Sequence, residues 1–149
     1  VATTPQLDPS LDWKGAIGTW SEAFRLAILA RPNLSRHLST ENRPALIEFT
    51  RPLLAALIAA QLSESVAVEV CRSLVHVIVS LTLGELETQS HRYDETAIVG
   101  DHLTRLLSID ANAYERSPDG KTPPPVFLQS IQWLIGGIEL QQQIQAART

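Results

Sequence analysis

The side chains able to do chemistry in this sequence are few. Cys71 and His76 stand five residues apart in the apolar run VAVEVCRSLVHVIV. On a helix they diverge by about 140°, too far apart for a thiolate–imidazole pair. Cys71 is the only cysteine, so it reads as a small buried hydrophobe, and a chain without a disulfide framework suits the reducing cytoplasm. His76, between Val75 and Val77, is the side chain best placed to change charge near neutral pH. Glu85, Glu87, His91, Asp94, Glu95 and His102 fall within eighteen residues. None of the spacings HExxH, CxxC or Glu-x-x-His accompanies them, so a solvated acidic edge is expected there and no metal site. A GxSxG turn and a Gly-rich phosphate loop are both missing. We therefore expect neither enzyme chemistry nor a cofactor.

Two further sets of residues could contact a ligand. Glu69, Arg72, Ser73, His76, Ser80 and Glu87 lie within about 60° of one line on a helix, forming a polar stripe. That stripe either orients a ligand or makes Glu69–Arg72 pairs at i, i+3 along a hydrated seam. The aromatics Trp20, Phe24, Phe49 and Trp133 come from different stretches of the chain and either pack a core or wall a pocket. With Cys71 and His76 they make up the candidate pocket residues.

These side chains must be positioned by helices. From Asp12 to Ala30, apolar residues recur at steps of three and four, with Asp12 as cap and Arg31-Pro32 as stop. A short helix at 33–38 follows, then an Ala/Leu-rich run from Ala45 to Leu62 interrupted by Pro52, where a kink or a fresh start is expected. Ser63 and Glu64 open the longest helix, to about Thr88. Its apolar surroundings from Val66 to Leu83 call for cover on more than one side, while Glu69, Arg72 and His76 argue against a membrane span. A helix at 94–107 and a turn-rich loop at 110–125 lead to a last helix, Val126 to Ala147. In that helix Gly136-Gly137 implies close approach by another helix. Residues 1–10 read as a flexible lead-in.

The whole reads as one all-α domain over residues 1–149, a bundle of about six helices. Of the residues, 44% are apolar and 19% charged, a globular composition apolar enough for part of the surface to be buried against another chain. The net charge of −4, with no basic run, excludes nucleic-acid binding by this stretch alone.

The order of these elements resembles the C-terminal domain of TetR-family transcription regulators. The resemblance is carried by DWKGAIGTWSEAFRLAILARPNLSRHL, the proline-bounded short helix, the run ending AAQLSESVA, the long apolar helix, and the closing FLQSIQWLIGGIE. It implies a cytoplasmic homodimer in which the longest and final helices pair with their copies in an intersubunit four-helix bundle. Phe127, Ile131, Leu134, Gly137 and Ile138 are the interface candidates. It further implies an unidentified small, largely apolar effector, and DNA binding only through an N-terminal helix-turn-helix unit that these residues do not include. The chain would then be part of a longer regulator, most simply a repressor that its effector releases. In that family the region around Arg31, Arg36, His37 and Arg43 lies near the DNA-reading half. The other reading is a stand-alone helical dimerisation module without DNA binding.

Overall fold

The computed structural model describes residues 4–31, 43–90 and 117–148, and every regular element among them is an α-helix. They are α1 (Trp13–Ala30), α2 (Arg43–Ala59), α3 (Glu64–Ser90) and α4 (Pro125–Ala147). The chain is all-α. The helices expected at 33–38 and 94–107, with Arg36 and His37, lie outside the described residues, as do His91, Asp94, Glu95 and His102.

α1, α3 and α4 begin where the sequence supplies a start signal. The Asp12 carboxylate accepts the Gly15 N–H at 2.8 Å, satisfying one of the unpaired donors of the first turn of α1. Ser63 does the same for α3, its hydroxyl accepting from Val66 N–H at 3.4 Å. Pro124 and Pro125 start α4, where a missing N–H costs nothing and the fixed φ favours the helix. α2 runs through Pro52 as one helix, although that residue cannot supply the N–H that would bond the Glu48 carbonyl. Residues 4–10 do more than lead in, since Leu7 packs against the core.

The corner between α2 and α3 is tight. Gln61 adopts φ 68°, its N–H bonds to the Ile58 carbonyl at 2.9 Å, and Leu62 N–H reaches back to the Leu57 carbonyl at 3.2 Å. This is the Schellman arrangement, and the apolar contact that accompanies it is present because Leu57 and Leu62 are both buried.

The core forms where four apolar stripes meet. Ile17, Trp20, Phe24 and Ile28 come from α1, Phe49, Leu53 and Leu57 from α2, Ala67, Cys71, Leu74 and Ile78 from α3, and Phe127, Ile131 and Ile138 from α4. Each set recurs at helical steps of three, four or seven, and fully burying one such side chain contributes about 1.5–3 kcal/mol. α3 touches α1, α2 and α4 and so lies centrally. Its stretch Glu64–Glu87 is long and apolar enough to cross a bilayer, with mean hydropathy 1.8, and only 28% of that apolar window is buried within the chain. Of its apolar side chains Val68 is exposed, and Val66, Val75, Val77, Val79, Leu81 and Leu83 are half-buried.

The left-handed conformation at Gln61 disfavours any residue with a Cβ. We expect Gln61→Gly to raise unfolding free energy by about 0.5–1 kcal/mol in urea melts. An unchanged or lowered midpoint would show that the corner is not strained.

Candidate functional site

The structure distributes the six sequence-predicted pocket residues over three places. Trp20, Phe24 and Phe49 form one aromatic cluster where α1 meets α2. The Trp20 and Phe24 rings stack at 5.0 Å, and Phe49 lies 6.0 and 5.4 Å from them. Trp20 Nε1 donates to the Phe49 carbonyl at 2.9 Å, giving the indole its partner inside an apolar interior. All three rings are buried and serve as packing. Cys71 and His76 sit together on another surface, and Trp133 on a third.

Beside the cluster lies a feature that the sequence reading did not single out. Arg25 on α1 and Glu85 on α3 are 0% and 1% exposed and form a two-pronged ion pair. Arg25 Nε donates to one carboxylate oxygen at 2.9 Å and Nη2 to the other at 2.6 Å. A longer contact of 3.5 Å joins Nη1 to the Lys121 carbonyl, and the guanidinium carbon lies 5.9 Å from the centre of the Phe127 ring. One side chain thus ties α1 to α3 and to the turn that delivers α4. Glu85 is accordingly no part of a solvated acidic edge, whereas Glu87 is exposed. Among the described residues no group of three His, Cys, Asp or Glu side chains is arranged to hold a metal ion.

The turn itself is built on Asp119. Its carboxylate accepts from the Ser117 hydroxyl and from Lys121 N–H. These bonds, the Ser117 hydroxyl first, hold its carboxyl below the usual range. Gly120 follows at φ 67°, a conformation that only glycine adopts freely.

Cys71 and His76 border a groove of about 920 Å³ between α2 and α3. From α2 come Arg43, Leu46, Ile47, Thr50, Arg51 and Leu54, and α3 adds Val68, Arg72, Val75, Val79 and Ser80. On both helices these positions advance by threes and fours, so each wall is one helical face. Cys71, 6% exposed, lies deepest on the α3 wall, and burial pushes its thiol up to about 11. His76 is exposed, and its Nδ1 lies 2.8 Å from the Arg72 carbonyl. A carbonyl only accepts, so Nδ1 carries a proton and Nε2 is turned to other partners. The polar stripe of α3 is on the surface: Glu69, Arg72, Ser73, His76, Ser80 and Glu87 are all exposed. Glu69 and Arg72 pair at 3.0 Å as their i, i+3 spacing suggests.

The third surface is the outward side of α4. Trp133 is 72% exposed, with Leu140 and Ile144 at 57% and 45%. It rims a groove of about 470 Å³ between α3 and α4, floored by Val70, Leu74, Leu134 and Gly137. Of the residues expected at an interface between copies, Phe127, Ile131 and Ile138 are buried in this chain's own core, Leu134 is half-buried, and Gly137 is exposed. Close approach at Gly136-Gly137 does not occur within the described chain, because a Cβ at either would meet nothing within 4 Å.

No known family model matches this chain, and no curated protein or solved structure matches it.

Two measurements follow from the buried groups. Replacing Arg25 by Met strands a carboxylate in the interior and is expected to cost about 3–5 kcal/mol in urea unfolding. Arg25→Met with Glu85→Leu should cost less than Arg25→Met alone, and additive losses would show that the two groups do not act as a pair. At pH 8 a thiol titrating at about 11 is ionised in roughly one molecule in a thousand. Cys71 should therefore react with an aromatic disulfide reagent on the order of a hundredfold more slowly in the folded chain than in urea. Equal rates would mean that the thiol is not sequestered.

Proposed function

We propose that this chain is the ligand-sensing and dimerisation domain of a TetR-like transcription regulator. It works in the cytoplasm as a homodimer and acts on DNA through a helix-turn-helix unit that the 149 residues do not include. Binding of a small, largely apolar effector releases the regulator from its promoter.

The observation that carries this reading is the apolar seam left outside on α4. Trp133, Gly137, Leu140 and Ile144 follow one another at steps of four, three and four, the spacing of a helix that packs against another helix. Three large apolar side chains on this seam are exposed, and contiguous exposed apolar surface of this kind marks an association site. The neighbouring α3 has a row of half-buried apolar side chains, Val66, Val75, Val77 and Val79 among them. A second copy crossing near Gly136-Gly137 approaches closely because no side chain stands there. It covers α3 and α4 together, which is the four-helix arrangement expected of a TetR-like domain. A stand-alone pairing module would use the same seam. The groove between α2 and α3 favours the ligand-sensing reading, its 920 Å³ falling in the range of about 300–1,000 Å³ usual for small-molecule sites.

Sedimentation of the chain at tens of micromolar should give a species of about twice 16.4 kDa. Trp133→Glu and Gly137→Leu should each shift it to monomer without loss of helical circular dichroism. A single 16.4 kDa species for the unaltered chain would overturn the dimer, and so would association untouched by both substitutions.

A further inference from the structure

The two walls of the α2/α3 groove differ in chemistry between floor and rim. Leu46, Leu54, Val75 and Val79, with Cys71, make an apolar floor. Arg43, Arg51, Arg72 and His76 stand among the exposed lining residues, and no Asp or Glu is among the lining residues. The two nearest carboxylates serve other bonds. Glu48 takes Arg51 Nη2 at 2.5 Å, and Glu69 takes Arg72 Nη1 at 3.0 Å. Each guanidinium has five N–H donors, so such a pairing leaves others available to a second acceptor. The Thr50 hydroxyl is spent on the Leu46 carbonyl at 2.7 Å, while Ser80 and His76 add polar contacts at the rim. The charged side chains among the lining residues are arginines.

We infer that this groove binds an amphipathic anion: a carboxylate head taken by the guanidiniums at its rim, Arg43 and Arg72 among them, with an extended hydrocarbon tail laid along the valine and leucine floor. The inference rests on the ligand-sensing reading and names the chemical class of its effector. The apolar floor supplies most of the affinity by removing hydrocarbon from water. The guanidiniums select the head, because N–H donors in a fixed fork match carboxylate oxygens and offer nothing to an ammonium or a bare hydrocarbon. A free inorganic anion would gain nothing from the floor and bind poorly. The sequence grouped Cys71 and His76 with Trp20 and Phe24 as pocket candidates for a small, largely apolar effector; in the groove their neighbours are arginines and valines, which narrows that effector to a chain-like acid.

The test uses the whole chain and three ten-carbon probes below their micellar concentrations: decanoate, decanol and decyltrimethylammonium. Decanoate should raise the melting temperature and bind in calorimetry more tightly than the other two. Arg43→Gln with Arg72→Gln, both at exposed positions, should weaken decanoate about tenfold or more and leave decanol unaffected. Val75→Trp, which fills the floor, should weaken decanoate and decanol together. Equal binding of all three probes, or an arginine double variant that keeps full decanoate affinity, would overturn the anion assignment while leaving a ligand-binding groove. If none of the probes binds, the anion assignment fails, and the sedimentation experiment still decides the pairing reading on its own.

Discussion

In a largely apolar interior, whose other buried polar side chains are the hydroxyls of Ser21 and Thr82 among the described residues, the guanidinium of Arg25 and the carboxylate of Glu85 stand against each other. Two charges removed from water are costly, and only near-ideal geometry offsets that cost. Here the geometry is two-pronged, with donor–acceptor distances of 2.9 and 2.6 Å. The constraint reaches beyond the pair. α1 and α3 must keep a fixed rotation and offset for the fork to meet both oxygens, and Phe127 must start α4 under the guanidinium. The turn built on Asp119 and Gly120 supplies that start. Apolar stripes alone tolerate sliding by a fraction of a turn. A forked ion pair does not, so it fixes the register in which the four stripes meet.

Much of the architecture was legible in the sequence because helical caps and periodicity are local properties. Asp12, Ser63 and the proline pair before α4 mark starts that the structure keeps. The face of α1 could be read because it has one dominant apolar stripe. The Arg25–Glu85 pair was missed although a signal for it exists. Arg25 falls four residues after Ser21 and eight after Ile17, and Glu85 seven after Ile78, so both occupy core-facing positions of their helices. A charge on an apolar stripe implies an opposite charge on another. Which one answers it depends on tertiary offset, and periodicity carries no information about that.

α4 was misread for a different reason: it has two seams. Phe127, Ile131, Leu134 and Ile138 advance by four, three and four, and so do Trp133, Gly137, Leu140 and Ile144. The seams lie about 120° apart. Spacing makes both of them packing faces and cannot assign one to the chain's own core and the other to the outside. The structure assigns them, with Phe127, Ile131 and Ile138 buried and Trp133, Leu140 and Ile144 exposed. A helix apolar on two sides leaves a limited part of its circumference for water, and past Leu140 glutamines take over most positions. The pocket candidates scattered for a related reason. Their residue types were suitable, but aromatic rings pack and line cavities equally well, and only the distances among Trp20, Phe24 and Phe49 show which they do.

The corner at Gln61 has a mechanical meaning for the surface it joins. Both walls of the α2/α3 groove spring from this one reverse bend, which is tied by the Leu62-to-Leu57 backbone bond and by two buried leucines. The groove is therefore a V closed at one end by a short, hydrogen-bonded corner rather than by a long loop. Preorganisation of that end spares binding part of the entropy of arranging two helices. It also narrows the groove towards the corner, which favours slender cross-sections there. Selectivity by cross-section, for slender molecules over branched ones, is then a property of a single bend and its left-handed glutamine.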